Sequence, residues 1–326
     1  MDLSKSIFWM DGQLASECVE ISNDPSSLDK PGFWVTVKSF EGDFLSARFE
    51  KVEKAQPPFA VWEKLKSNWI SSQNQFTYES NVERVKQLIA AGDVYQVNLC
   101  RILSNDCDQS LLGLTNEILQ QNPSPYGAYL KLPGIEIASA SPELFFSRQG
   151  DVIKCSPIKG TSSSDVFMEK DSSENIMIVD LMRNDFSQIC KPGTVDVPRL
   201  LATEKHPGLY HLVSDVVGQM RENVKWTEIM AALTPAGSIS GAPKSSAVKN
   251  IREIEGINRG PYCGVIGWSK DKEALMSVGI RIFWSYGDGK IHFGTGAGIT
   301  WQSDAKQEWE ETELKARRLI SIAGAN

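Results

Sequence analysis

From Asp171 to about Asn184 the chain predicts a helix whose middle is apolar nearly all round: Ile176, Met177, Ile178, Val179, Leu181 and Met182. A helix without a polar face has to be covered on every side, so the fold must build other layers around it. Glu174 shares one face of this helix with Ile178 and Leu181, at i, i+4 and i+7. Burying a carboxylate is costly unless it is paired or metal-bound. A salt bridge, to Arg183 or another arginine, and a metal site are equal readings of Glu174.

Two stretches upstream bear on the same question. Cys155-Ser156-Pro157-Ile158-Lys159-Gly160-Thr161 sets a lysine between an apolar anchor and a Gly-Thr turn, and Ser141-Pro142-Glu143 precedes it. A carboxylate, a lysine and a second carboxylate in an apolar run are the raw material of a site that protonates, attacks and binds a metal. Glu143 interrupts three strand-like runs, Tyr126 to Leu132, Ile135 to Ala140 and Leu144 to Ser147. A bulge or bend there would aim it inward, although a lone glutamate at a turn is more commonly a surface residue.

Composition narrows the classes of function. With 41% hydrophobic and 23% charged residues the chain has apolar mass for a real core, and 326 residues allow one large domain or two. The net charge of −7 excludes broad binding to nucleic acid or membrane surfaces, so an anionic substrate would meet a local cluster of donors. The six cysteines form no CxxC and no histidine completes a zinc set, which reads as reduced, buried thiols of a cytosolic protein. No apolar run reaches the length of a membrane span, and the N-terminus has no signal-peptide core.

Along the chain, Phe33 to Val37 and Phe44 to Phe49 read as strands, and the polar run Ser71 to Gln75 as a boundary between segments 1–75 and 76–326. Ser80 and Glu83 form a capping box opening a helix that Gly92 ends. Val94 to Leu99 reads as a strand with Gln96 and Asn98 on one face, solvent being favoured over a site lining. Leu111 to Gln121 is a helix stopped by prolines. The small-residue loop Leu233 to Lys244 feeds a helix from Pro243 to Ile254. Its N–H groups near Ser240 and Gly241 either suit an anion or make an ordinary connection. Tyr262 to Trp268 and Ala274 to Trp284 read as strands, and Arg281 inside the second calls for a carboxylate, internal or on a ligand.

Gly294, Gly296 and Gly298 alternate in what reads as a loop before a helix. This is no dinucleotide fingerprint, but such backbone can approach a ligand closely. The last helix, Asp304 to Ala323, has the apolar stripe Trp309, Ala316, Leu319 and Ile320, with Glu308, Glu311 and Lys315 along its edge. Two acids one turn apart suit a divalent metal. Glu311 with Lys315 is otherwise a helix-stabilising pair worth about 0.2–0.5 kcal/mol.

Together these stretches resemble the chorismate-utilising enzymes. The matching runs are Gly92 to Asn98, Ser141 to Glu143, Pro157 to Thr161, Glu174 to Asp185, His211 to Ser214, Ser240 to Lys244, the glycines at 294–298, and Glu308 to Lys315. They cover roughly 76–322 in the right order. The resemblance implies an α+β fold of two facing antiparallel sheets flanked by helices, with the site at one end. Lysine in Pro-Ile-Lys-Gly-Thr points to the aminodeoxychorismate branch. Anthranilate synthases usually carry alanine there, and isochorismate and salicylate synthases usually carry a lysine base where this chain has Gln96.

By the same resemblance Glu143 is the general acid for the C4 hydroxyl and Lys159 the nucleophile, which requires a pocket that lowers its pKa. Magnesium would be held by Glu174, Glu308 and Glu311. Arg281, Tyr262 and the backbone of Gly296, Ala297 and Gly298 would hold the pyruvyl group of chorismate. Gly160, Thr161, Asp171, His211, Ser238 and Lys315 would complete the wall. Ammonia would come from a separate glutamine amidotransferase subunit. The N-terminal segment of about 75 residues is shorter than in larger relatives, so their tryptophan pocket is expected to be incomplete or absent. The competing readings are an anthranilate-forming lyase, disfavoured by Lys159, and a non-catalytic chorismate-binding subunit, disfavoured because the acid, the lysine and all three carboxylates are present.

Overall fold

The computed structural model describes residues 2–162, 166–167, 169–206 and 209–325, with backbone alone described at 161–162, 169–170, 205–206 and 209. The chain opens with four strands, β1 (Ile7–Met10), β2 (Gln13–Ser22), β3 (Phe33–Lys38) and β4 (Phe44–Lys54). After the short β5 (Ile70–Ser71) come α1 (Gln75–Ala91), the long β6 (Gln96–Asp106) and α2 (Leu111–Gln121). Five strands follow: β7 (Tyr126–Leu132), β8 (Ile135–Ser141), β9 (Leu144–Gln149), β10 (Val152–Ser156) and β11 (Ile158–Ser162). Next are α3 (Glu169–Ser187), β12 (Asp196–His206), β13 (Leu209–Gln219), α4 (Trp226–Leu233), the one-turn α5 (Gly237–Ser240), β14 (Gly241–Ala242) and α6 (Lys244–Glu255). The chain ends with β15 (Val265–Lys270), β16 (Glu273–Val278), β17 (Ile282–Ser285), β18 (Lys290–Ile299) and α7 (Ala305–Ala323).

The two expected sheets are one. The short β5 and β14 both pair with β6 at one end, and from there the row runs β6, β18, β17, β8, β7, β1, β2 and β4. It continues through β3, β15, β16, β9, the end-to-end pair β10 and β11, β13 and β12, antiparallel throughout. Hydrogen bonds are therefore unbroken at β4, where a gap between two sheets would fall. Asn98 and Gly296, near one end, and Lys159 and His211, near the other, line the same cavity. The right-handed twist accumulated over so many strands curls the sheet until its ends share one space.

Local chemistry explains the elements nearest the site. The β7–β8 hairpin pairs Leu132 with Ile135. Pro133 sets the first corner of its turn and Gly134 takes φ +82, the left-handed second corner of a type II turn. In α7, Asp304 caps the N-terminus by accepting from Gln307 N at 3.0 Å, and Ala316, Leu319 and Ile320 are buried against β18 and α2. Gly92 ends α1 in the left-handed conformation, as expected. All six cysteines are buried free thiols, and no helix among the described residues is long and apolar enough to cross a membrane.

Several expectations are corrected. Helix α3 is covered on one face only: Ile178, Val179, Met182 and Phe186 are buried, while Ile176 is 48% exposed. Asp180 and Arg183, on the outer face, pair with each other at 3.0 Å. A run of consecutive apolar residues points in all directions, but the sheet covers one side of the helix. Helix α1 starts earlier than Ser80, because Asn74 already caps it by accepting from Thr77 N at 2.9 Å. The strand expected from Ala274 to Trp284 is two, β16 and β17, broken at Gly279–Arg281. The one expected from Tyr262 begins at Val265, leaving Tyr262 in a turn.

Candidate active site

Glu143 sits where the chain crosses from β8 to β9, two strands that do not pair with each other. Ser141 Oγ donates to the Val278 carbonyl at 2.7 Å and Val278 N–H donates to the Glu143 carbonyl at 3.1 Å. The β9–β16 register slips at Met276–Ser277. The slip and these bonds form the bend the sequence allowed for, and Glu143 is 5% exposed. Burial pushes its carboxyl up to about 7, against the opposing pull of the Ser238 hydroxyl, the Lys159 charge and the Ile158 N–H.

Lys159 is aimed by a second irregularity. Ile158 pairs with Val213 and Thr161 with His211, so three steps along β11 match two along β13. This is a β-bulge at Lys159–Gly160. Gly160 takes φ +86, and a Cβ there would stand 3.0 Å from the Asp171 Cβ, so glycine is needed for both conformation and space. Burial lowers the pKa of the Lys159 amine. Lys315 acts in the same direction, and Glu174, Glu143 and Glu311 act against it.

The glycines at 294, 296 and 298 do not form a loop. They lie within β18, paired to β6 with Gly296 opposite Cys100 and Gly298 opposite Asn98. Their missing side chains make room for neighbours: Tyr262 lies against Gly294, and the Gln96 and Asn98 side chains against Gly298. The expectation that Gln96 and Asn98 face solvent is overturned, because their side chains fold over Gly298 of the neighbouring strand and Asn98 meets Ser238 of α5. Gln96 is 1% exposed, and its amide nitrogen and oxygen have no hydrogen-bond partner among the described residues. Asn98, a wall residue that sequence reasoning missed, donates from Nδ2 to the Ser238 carbonyl at 2.7 Å. The alternating glycines opposite it were the available signal.

The cavity encloses about 1100 Å³. Its lining brings together Glu143, Lys159, Gly160, Asp171, Glu174, His211, Ser238, Tyr262, Arg281, Gly296, Ala297, Gly298, Glu311 and Lys315. Thr161 stands in β11 opposite His211, but its side chain lies outside the described residues. Arg281 falls at the β16–β17 break with φ +54, a costly conformation for an arginine. Burial lowers its pKa, and among the described residues no carboxylate pairs with it. Of the two sources of a carboxylate weighed for Arg281, the internal one is thus not found. Neither Ser240 nor Gly241 lines the cavity: Gly241 pairs with Val97 in the sheet, and Lys244 at the start of α6 bonds to buried Asp185 at 2.5 Å.

The three acids divide. Glu174 and Glu311 line the cavity, while Glu308 is 4% exposed and not on its wall. Lys315 Nζ bonds to Glu311 at 2.5 Å and to the Gly296 carbonyl at 3.1 Å. Glu174 and Glu311 both act on the charge of Lys159, and Glu308 and Glu311 both act on Tyr78. Hard carboxylate oxygens are the donors magnesium takes, and Glu311 is the acid common to both neighbourhoods. Among the described residues no three acids stand close enough together to hold a cation.

The chorismate binding enzyme model matches residues 38–321, and the chain belongs to that family. It is 35% identical over 253 residues to aminodeoxychorismate synthase component 1 of Bacillus subtilis, covering 73% of this chain and 54% of that one. It is equally 35% identical over 268 residues to anthranilate synthase component 1 of Saccharolobus solfataricus, covering 78% of this chain and 63% of that one. The chain thus spans between about half and two thirds of these relatives' length. The fold matches MenF, the menaquinone-specific isochorismate synthase from Escherichia coli, with a TM-score of 0.82 at 15% identity, covering 99% of this chain and 89% of that one.

Proposed function

We propose that this chain aminates chorismate, joining it with ammonia to give 4-amino-4-deoxychorismate and water, a step toward para-aminobenzoate and folate. The observation that carries the reading is the pairing of Lys159 and Glu143 in one cavity. Burial favours the neutral form of each, a free amine on Lys159 and a protonated acid on Glu143. Those are the forms a nucleophile and a general acid need.

In this reading Lys159 attacks C2 of the ring, the double bonds shift, and the C4 hydroxyl leaves as water with the proton of Glu143. The lysine amine, now bonded to carbon, gives its proton back to Glu143. Ammonia then adds at C4, the double bonds shift back, Lys159 leaves as the free amine with a proton from Glu143, and the new ammonium at C4 returns a proton to Glu143. Arg281, Tyr262 and the backbone of Gly296 to Gly298 hold the pyruvyl group, and the strained Arg281, without a carboxylate partner among the described residues, supports that role. Glu174, Glu308 and Glu311 would hold magnesium only once α3 and α7 bring their carboxylates closer together than they stand here, and the ion would then neutralise the C1 carboxylate. The ammonia would come from a separate glutamine amidotransferase subunit, in the cytoplasm.

Relatives of equal identity carry the names of two different synthases, so product identity is the test. Chorismate, magnesium and an ammonium salt should give 4-amino-4-deoxychorismate by chromatography and mass. Anthranilate with pyruvate would show the lyase instead, and no consumption of chorismate would show a binding subunit. Glutamine in place of ammonium should give no product with the pure chain.

A further inference from the structure

Arg259, which lines the cavity, belongs to a fully buried ion pair that the proposed chemistry does not use. Arg259, in the loop after α6, donates from Nε and Nη2 to the Glu255 carboxylate at 2.9 and 2.6 Å, and both side chains are 1% exposed. Desolvation offsets much of the attraction in so dry a pair, so stability alone explains it poorly. Its outward bonds are more informative. Nη2 also donates to the Asn98 carbonyl at 2.8 Å and Nη1 to the Ile239 carbonyl at 3.2 Å. Glu255 accepts from Cys100 N–H at 2.9 Å, and the guanidinium rests on the Phe40 ring at 4.2 Å.

The pair therefore ties β6 to α5 on both sides of one link. That link is Asn98 Nδ2 donating to the Ser238 carbonyl at 2.7 Å. Ser238 and Glu143 line the same cavity, and the Ser238 hydroxyl lies near enough to the Glu143 carboxyl to favour its charged form. We propose that the Glu255–Arg259 pair is a positioning device which, through Asn98 and Ile239, holds the Ser238 hydroxyl against the Glu143 carboxyl. The consequence for catalysis rests on the reading of Glu143 as the general acid. The titratable groups that face Glu143 are Lys159 from β11 and Cys155 from β10, while α5 brings Ser238 and β16 the Val278 backbone. Arg281, at the β16–β17 break, lines the same cavity. Of these, Ser238 is the group whose placement the pair governs.

The test follows the Glu143 carboxyl band by infrared titration of the whole chain, with Glu143→Gln as the blank, beside the pH profile of chorismate turnover. A hydroxyl donated to a carboxylate favours the charged form, so Ser238→Ala should raise the Glu143 titration by about half a pH unit or more. Asn98→Ala should raise it likewise, and the double variant no further than Ser238→Ala alone, since both act on one path. Arg259→Lys keeps the charge but cannot span both carbonyls and the carboxylate. It should give the same shift, with kcat down about tenfold and KM within about twofold. If Arg259→Lys does not melt cooperatively, Asn98→Ala still decides, because it leaves the buried pair whole. A folded Asn98→Ala or Arg259→Lys with the wild-type titration, while Ser238→Ala is shifted, overturns the device and leaves the acid's role intact. An unshifted Ser238→Ala overturns it as well. Wild-type turnover in Glu143→Gln overturns the role of Glu143 instead, whatever its carboxyl does.

Discussion

The ring of Tyr262 occupies the space a side chain at residue 294 would fill: a Cβ on Gly294 would stand 2.1 Å from the ring Cγ and 2.3 and 2.5 Å from the two Cδ atoms. Tyr262 is itself 6% exposed, so the ring has little room to retreat. Gly294→Ala should therefore push Tyr262 along the cavity or part β18 from β6. We expect a loss of about 1–3 kcal/mol in stability by denaturant titration, with turnover reduced at least tenfold in the folded fraction. Near wild-type values for both would mean that Tyr262 has another rotamer available.

Glu143 gives a pH dependence with a definite sign. Its folded pKa of about 7 lies above the ordinary carboxylate range, so the acid keeps its proton below about pH 7 and loses it above. Turnover should fall on the alkaline side of that value. Stability follows the same group: the folded state holds a proton the unfolded chain has released, so stability falls as pH rises from about 4.5 to 7. Glu143→Gln should abolish turnover yet melt higher than the parent at pH 8, with the gap closing toward pH 5. A gap that widens on acidification would contradict this account.

Lys159 separates nucleophile from fixed charge. Lys159→Arg keeps the charge on a group that is effectively always protonated. We expect at least a hundredfold loss of amination, and a covalent adduct on the Lys159 peptide when the parent is given chorismate and magnesium without ammonia. Near wild-type turnover in Lys159→Arg, with no adduct on the parent, would mean that ammonia attacks C4 directly.

The carboxylates predict cooperation between two helices. Glu174 comes from α3, while Glu308 and Glu311 come from α7. Each single change to Gln should weaken magnesium binding at least tenfold by calorimetry in the presence of chorismate. Glu311→Gln also frees Lys315, whose Nζ bonds to both Glu311 and the Gly296 carbonyl, so it should raise KM for chorismate most. Unchanged magnesium affinity in Glu308→Gln would remove that buried residue from the set.

The amino-acid sequence by itself determined most of the elements around the site. Leu111–Gln121 and Tyr126–Leu132 fall where proline stops and β-rich runs put them, because those signals act over a few residues. It also made the family legible, since the runs that hold Glu143, Lys159 and the acids of α3 and α7 are distinctive enough to reveal it. Only the tertiary structure decided which faces are covered. Ile176 is exposed although its neighbours in sequence are apolar, and Gln96 is buried although it is polar. The first depends on the sheet covering one side of α3. The second depends on Gly298, about two hundred residues downstream, leaving space for the glutamine side chain. Closure of the cavity is non-local for the same reason: Lys159 and Gly296 meet because the whole sheet curls, and that curl is a sum over strand pairings which no short stretch of sequence contains.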